Sequence, residues 1–239
     1  MRRARGAGVS RFACIGVGGL DEAESAVALA RAESDVVAAV GVHPHDAASA
    51  DSSLVDAIAA LAREPKVVAV GEIGLDYHYD HSPRDVQKDV FRRFIALARE
   101  LDKPIVIHTR NAPADTITIL REEGARDVGG IIHCFSEDRA FAERALDLGF
   151  DLSFSGIVTF KNAHSIQDVA GWAPADRVLI ETDSPYLAPL PLRGKRCEPA
   201  FIVHTARRVA ELRGIPFEDL AQITSENAVR RFRLDDQPR

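Results

Sequence analysis

Aromatic residues are scarce in this 239-residue chain: one Trp, three Tyr and 11 Phe make up 6% of it. A core short of large rings but rich in Ala, Val, Leu and Ile suits helices wrapped round a sheet of branched residues, not an aromatic-rich β-sandwich. Cysteine is scarcer still. Cys14, Cys134 and Cys197 are odd in number and far apart, which excludes a disulfide framework and reads as reduced thiols in a cytoplasmic protein. Cys14 and Cys134 sit in apolar runs, where packing is their expected role. No stretch reaches 18 apolar residues, and the basic start Met1-Arg2-Arg3-Ala4-Arg5 leads into no apolar core. Neither a membrane span nor a secretion signal is therefore expected. Basic charge is in deficit too: 30 Lys and Arg against 36 Asp and Glu leave a net −6. That balance argues against coating duplex nucleic acid through a broad basic face, but not against a nuclease whose metal ions draw one phosphate into a cleft. A Gly-x-Gly-x-x-Gly turn, a Walker lysine loop and a Gly-x-Ser-x-Gly elbow are all missing.

What is present is a repeat. The hydrophobic content of 46% fills one sizeable core, so residues 1–239 read as a single domain. Nearly continuous apolar runs at 12–17, 36–41, 67–72, 104–109, 130–135, 151–156 and 178–183 predict strands buried on both faces. Helical patterns at 21–34, 52–63, 83–101, 114–123, 137–148 and 163–170 lie between them. In the third, Val86, Val90, Phe94, Leu97 and Leu101 recur every three or four residues. Asp21 and Ser52 are expected N-caps, and Gly124 and Gly149 stops. A further helix is expected at 200–212, a short one after Pro216, and a last one capped by Thr224 or Ser225. Strand–helix alternation of this kind fits an open doubly wound sheet or a closed barrel. Polar residues at the ends of at least five strands (His43, Glu72, His108, His133 and Asp183) favour an α/β fold of the TIM-type (β/α)8 barrel, which aims all its strand ends at one centre. Seven of the eight strands are visible. Because Arg2–Val9 resembles the tail of a helix, the absent piece is expected at the front.

Chemistry concentrates where the β-rich runs end. Glu72 follows five small or apolar residues, and a carboxylate there must be paired or ligated; it can serve a metal or hold loop N–H groups. His108 and His133 end two more runs. Together with Glu72 and Asp183 they make a set suited to zinc, manganese or similar ions and poorly suited to calcium. Their separations of 36, 25 and 50 residues form no local motif and make sense only if a barrel convenes them. Asp183 can bind metal, take a proton from an attacking water, or cap the Ser184-Pro185 turn. Glu181 has the opposite strand parity and is expected to face the helices or a salt-bridge partner. Cys134, next to His133, is expected on the opposite face from it for the same reason. His43 and His45 suit substrate contact. Arg110 suits a phosphate clamp, and Lys161 and Arg196 lie in loops where they can steer phosphate or simply be solvated.

These residues resemble a known family. Gly41-Val42-His43-Pro44-His45, Gly71-Glu72-Ile73-Gly74-Leu75-Asp76-Tyr77, Ile107-His108-Thr109-Arg110, His133-Cys134-Phe135-Ser136, Glu181-Thr182-Asp183-Ser184-Pro185-Tyr186 and Arg193-Gly194-Lys195-Arg196 are similar to the motifs of the TatD-related deoxyribonucleases, from the first residues to about Phe232. The resemblance implies a metal-dependent hydrolase that cleaves DNA, often from 3′ ends and often single-stranded, with two divalent ions (Mg, Mn or Zn). It implies Glu72 as a bridging acid, His108 and His133 as ligands, and Asp183 as the ligand that also positions water. His43, His45, Arg110 and the 193–196 loop become substrate-side elements, with Glu72 and Asp183 the catalytic pair.

The chain departs from the family pattern at several points. No His-x-His precedes Cys14, Glu137 stands where glycine is usual, and Cys197 where asparagine is common. The first metal site is accordingly expected to be incomplete. Unpaired strand edges are expected to leave this chain weakly folded or self-associating where the complete enzyme is a monomer. Two rival readings stay open: a barrel hydrolase of a small ester, amide or lactone, and a non-catalytic remnant that persists as a binding protein.

Overall fold

Runs of β-branched and small residues become the strands, and the amphipathic stretches between them become the helices. The computed structural model describes residues 1–234. In chain order the main elements are α1 (Arg2–Gly6), β1 (Phe12–Gly16), α2 (Leu20–Ala32), β2 (Val36–Val40), α3 (Ser52–Ala62), β3 (Val67–Asp76), α4 (Arg84–Glu100), β4 (Ile105–Arg110), α5 (Pro113–Glu122), β5 (Gly130–Ile132), α6 (Arg139–Asp147), β6 (Phe150–Phe154), α7 (His164–Trp172), β7 (Val178–Ile180), α8 (Ile202–Arg213) and α9 (Phe217–Phe232). The strands follow one another in chain order in a seven-stranded sheet. The pairs β1/β2, β2/β3, β3/β4 and β6/β7 are parallel. Parallel strands with a helix after each are the repeat of a TIM-type barrel, of which this chain supplies seven strands.

The chain forms two compact units. One comprises Arg11–Ile131, Leu148–Phe150 and the chain from Arg231. Every residue of β2 and β3 is buried, as expected of strands covered on both faces. Lys103 ties this unit together, its ammonium donating to the carbonyls of Ala62 (2.5 Å), Glu64 (3.3 Å) and Val67 (2.6 Å) between the end of α3 and the start of β3. In α4, Val90, Phe91, Phe94, Ile95 and Ala98 form the buried stripe, and polar Gln87 is buried with them.

The other unit comprises Met1–Ser10, Ile132–Asp147 and Asp151–Arg230. Asp151 is fully buried at the start of β6, within 2.5 Å of the Arg177 guanidinium and 3.6 Å of that of Arg230. Asn227 of α9 donates to the carbonyls of Ala175 (2.8 Å) and Val178 (2.9 Å), fastening that helix to the start of β7.

Several local expectations need correction. The cap of α3 is Asp51, whose carboxylate accepts from Leu54 N–H at 2.8 Å, and not Ser52. Helix α2 starts at Leu20 after Gly19, placing Asp21 in its first turn. The last two expected helices are one. Thr224 and Ser225 lie inside α9 and donate back to the carbonyls of Leu220 (2.9 Å) and Ala221 (2.6 Å) respectively, bonds available to a hydroxyl within a helix. Strand lengths differ too. Pairing with β4 carries β3 four residues beyond Glu72, whereas β5 and β7 stop three residues short of the expected ends.

Candidate metal centre

In the first unit, β3 and β4 lie in parallel register, Gly74 opposite His108 and Asp76 opposite Arg110, with a shift between Gly71 and Ile73. Glu72 and Asp76, four residues apart in β3, both reach His108. Glu72 Oε1 stands 2.9 Å from His108 Nδ1, and Asp76 Oδ2 stands 3.0 Å from His108 Nε2. His43, in the turn after β2, enters the same group. Its Nε2 lies 3.3 Å from His108 Nδ1 and 3.6 Å from Glu72 Oε1. Its Nδ1 accepts the His45 N–H at 3.2 Å, a bond the ring gives up on ligating a metal through Nε2, which requires its proton on Nδ1.

Asp76 is the anchor. It is fully buried, and it accepts from the N–H groups of His78 (2.9 Å) and Tyr79 (2.8 Å) as well as facing His45 Nε2 at 3.1 Å. Gln87 explains its own burial here: its amide oxygen accepts Asp76 N–H at 2.8 Å, and its NH2 donates to the Asp76 carbonyl at 3.1 Å. Burial pushes the Asp76 carboxyl up, but the hydrogen bonds from His108, Tyr79 N–H and His45 outweigh it and hold the group well below the usual carboxylate range. Burial lowers His43 to about 4 against the opposing pull of Glu72.

His43 Nε2, Glu72 Oε1 and His108 Nδ1 form a triangle with edges of 2.9, 3.3 and 3.6 Å. Ligand atoms on a four-coordinate ion with bonds of about 2.1 Å stand roughly 3.4 Å apart. Two imidazoles and one carboxylate at that spacing fit a divalent transition metal.

The second unit holds its own cluster just past the strand ends. His133 follows β5 directly, and Asp183 lies three residues beyond β7. The two nitrogens of His133 are gripped from both sides, Nδ1 by Glu181 Oε1 at 2.8 Å and Nε2 by Asp183 Oδ1 at 3.4 Å. Glu181 is itself held, accepting Cys134 N–H at 2.9 Å and the Ser153 hydroxyl at 2.6 Å. It therefore meets a salt-bridge partner, one of its two expected alternatives.

The expectation for Cys134 fails. Its φ of +44° lies outside the strand region, so alternation does not hold, and a donor atom from each of His133, Cys134 and Glu181 falls within 4.8 Å of the others. The Cys134 sulfur lies 3.0 Å from Ser155 Oγ, and burial pushes its thiol up to about 12.

The expected substrate residues are spread out. His45 packs edge-on against His43, with ring centroids 4.3 Å apart. Arg110 is exposed at the end of β4 with its guanidinium 4.7 Å from the Tyr79 ring centre. Lys161 is exposed in the loop before α7. Arg196 lines a cavity of about 530 Å³ with Arg3, Ser184, Pro185, Cys197, Glu198 and Pro199. Sequence reasoning passed over Asp76, although it shares strand parity with Glu72 and ends the same Gly71–Asp76 run.

Parallel strands alternating with helices, with imidazole–carboxylate clusters of ligand-like spacing in or just past their carboxyl-terminal halves, define a metal-dependent hydrolase of the barrel class. Residues 1–233 match the family model described as TatD related DNase, and the chain belongs to that family. It is 50% identical over 200 residues to an uncharacterized metal-dependent hydrolase, YabD, of Bacillus subtilis, covering 84% of this chain and 78% of that protein. A Rahnella protein named 3′-5′ ssDNA/RNA exonuclease TatD is 35% identical over 239 residues, covering 98% of this chain and 91% of its own. Among solved structures, the TatD homologue YjjV of Escherichia coli K12 matches with a TM-score of 0.91 at 29% identity, over 97% of this chain and 90% of that one. Among the described residues, no helix is long and apolar enough to cross a membrane.

Proposed function

We propose that this chain hydrolyses phosphodiester bonds of DNA as a 3′-5′ exonuclease acting on single-stranded ends. Its metals would be held by Glu72 and His108, joined by His43, in one unit and by His133 and Asp183 in the other. The donor triangle in the first unit supports this reading most, because its edges are those of a metal's ligand shell. Two divalent ions, Mg, Mn or Zn, would supply Lewis-acid chemistry, offsetting phosphate charge and lowering the pKa of water.

The remaining work falls to the side chains. Asp183, 30% exposed and the more open partner of His133, orients the attacking water and takes its proton. Asp76 and Glu181 fix the rings of His108 and His133, as carboxylates behind ligating imidazoles do. His45 and Arg110 meet the substrate in the first unit, and Lys161 and Arg196 attract its phosphates in the second.

A 5′-labelled single-stranded oligonucleotide incubated with manganese tests the proposal. Wild-type protein is expected to shorten it stepwise from the 3′ end, and Asp183→Asn to lower turnover at least 100-fold, on the order of what a general base contributes. Uncut DNA alongside rapid cleavage of a small ester or lactone would overturn it.

A further inference from the structure

We infer that Tyr79 and His81, assisted by Arg110, form a platform on which a base of a single-stranded nucleic acid stacks, a reading that rests on the phosphodiesterase function proposed above. Tyr79 is one of three exposed large hydrophobic side chains among the described residues, at 51% exposure. Its ring lies parallel to that of His81, 9° apart with centroids separated by 5.6 Å, and the Arg110 guanidinium stands 4.7 Å from its centre. His81 and Arg110 are exposed as well.

The platform is continuous with the donor cluster. His45 meets both rings edge-on, at 5.4 Å from Tyr79 and 4.6 Å from His81, and points its Nε2 at Asp76. It is also held in place. Asp76 Oδ1 accepts the N–H groups of His78 and Tyr79 while Asp76 Oδ2 faces His108, so one buried carboxylate fixes both the stacking turn and the imidazole. The Asp80–Arg84 ion pair at 2.6 Å braces the same turn.

Every base offers a π face, so flat exposed rings beside a cation bind single strands with little regard to sequence. A hydrolase of small aliphatic esters has no use for such a rim. The ligand class is therefore a nucleobase next to the scissile phosphate.

The test compares two short hydrolysis-resistant phosphorothioate strands, one of thymidines and one with the same backbone but abasic at every position. Binding to manganese-loaded protein is read by fluorescence anisotropy at one fixed salt concentration. The wild type is expected to prefer the base-bearing strand. Tyr79→Ala should weaken binding of that strand by about 5- to 150-fold, the equivalent of a base–aromatic stack, with the loss confined to it, and Tyr79→Phe should retain the preference. Equal wild-type affinity for the two strands, or an equal loss on both in Tyr79→Ala, would overturn the platform. Base preference without cleavage of ordinary DNA would support the platform and sink the phosphodiesterase reading instead.

Discussion

Gly74 offers the sharpest perturbation of the frame that carries the first cluster. It sits in β3 with φ of +142°, and a Cβ there would stand 2.0 Å from the carbonyl oxygen of His108 and 3.0 and 3.1 Å from its carbonyl carbon and nitrogen. These are backbone atoms in a paired strand, so no side chain can swing aside; β3 and β4 must part. Holding an L-residue at this φ costs roughly 1–3 kcal/mol, and forcing extra volume into a packed site about 1–3 more. Gly74→Ala is thus expected to lose about 2–6 kcal/mol of a net stability of roughly 5–15. For a chain of this size, about 2–4 °C per kcal/mol makes that a fall of roughly 4–24 °C in Tm. Urea denaturation followed by circular dichroism measures the loss. Gly6→Ala is the control, since nothing lies within 4 Å of its Cβ position at the end of α1, and it should change stability by less than about 1 kcal/mol. The damage should also reach the site, because moving β4 moves His108 away from Glu72. A Gly74→Ala protein with the wild-type urea midpoint would refute the claim that this contact sets the spacing of the two strands.

Asp76→Asn keeps the shape but weakens the hold on His108, and should lower divalent-metal affinity about 10- to 100-fold in a chelator competition; unchanged affinity would remove Asp76 from the positioning role. Lys103→Met leaves three carbonyls without their shared donor and should cost about 1–3 kcal/mol at an unchanged m-value. In metal-free protein, His43 stays neutral when folded down to about 4, whereas the unfolded chain takes up that proton near 6.5. Its stabilising effect is therefore complete above pH 7 and falls with pH through this window, by about 2 kcal/mol at pH 5. His43→Gln should flatten that slope, and an equally steep slope in the variant would place its origin elsewhere.

Strand cores were legible because burial on both faces leaves near-continuous apolar runs, and each of the seven runs holds a strand. Strand ends were not, because they depend on the partner. The Ile73–Asp76 segment, set off by a charged Glu72 and broken by Gly74, stays in β3 because β4 pairs with it as far as Arg110, and nothing local announces that partner. His43 illustrates a second limit: a side chain from a turn reached the donor triangle through a fold in the chain that spacing does not encode.

Period-two alternation sorts residues onto faces only while a ladder is intact. Ladder pairing passes one rung beyond β7, where Glu181 N–H donates to the Phe154 carbonyl at 3.0 Å, and then the chain turns. Strict parity would send Glu181 and Asp183 to one face and Thr182 to the other, so period-two alternation gives no ground for separating the two acids. The two acids instead grip opposite nitrogens of one imidazole. Past β5 the positive φ of Cys134 breaks alternation outright and brings its sulfur to the group that parity assigned to the other face. Chemistry needs side chains to converge from several directions, and a regular strand offers only two. In this unit the functional groups therefore stand where the regular pattern has just stopped, which makes the residues themselves easy to find in the sequence and their mutual arrangement hard to infer.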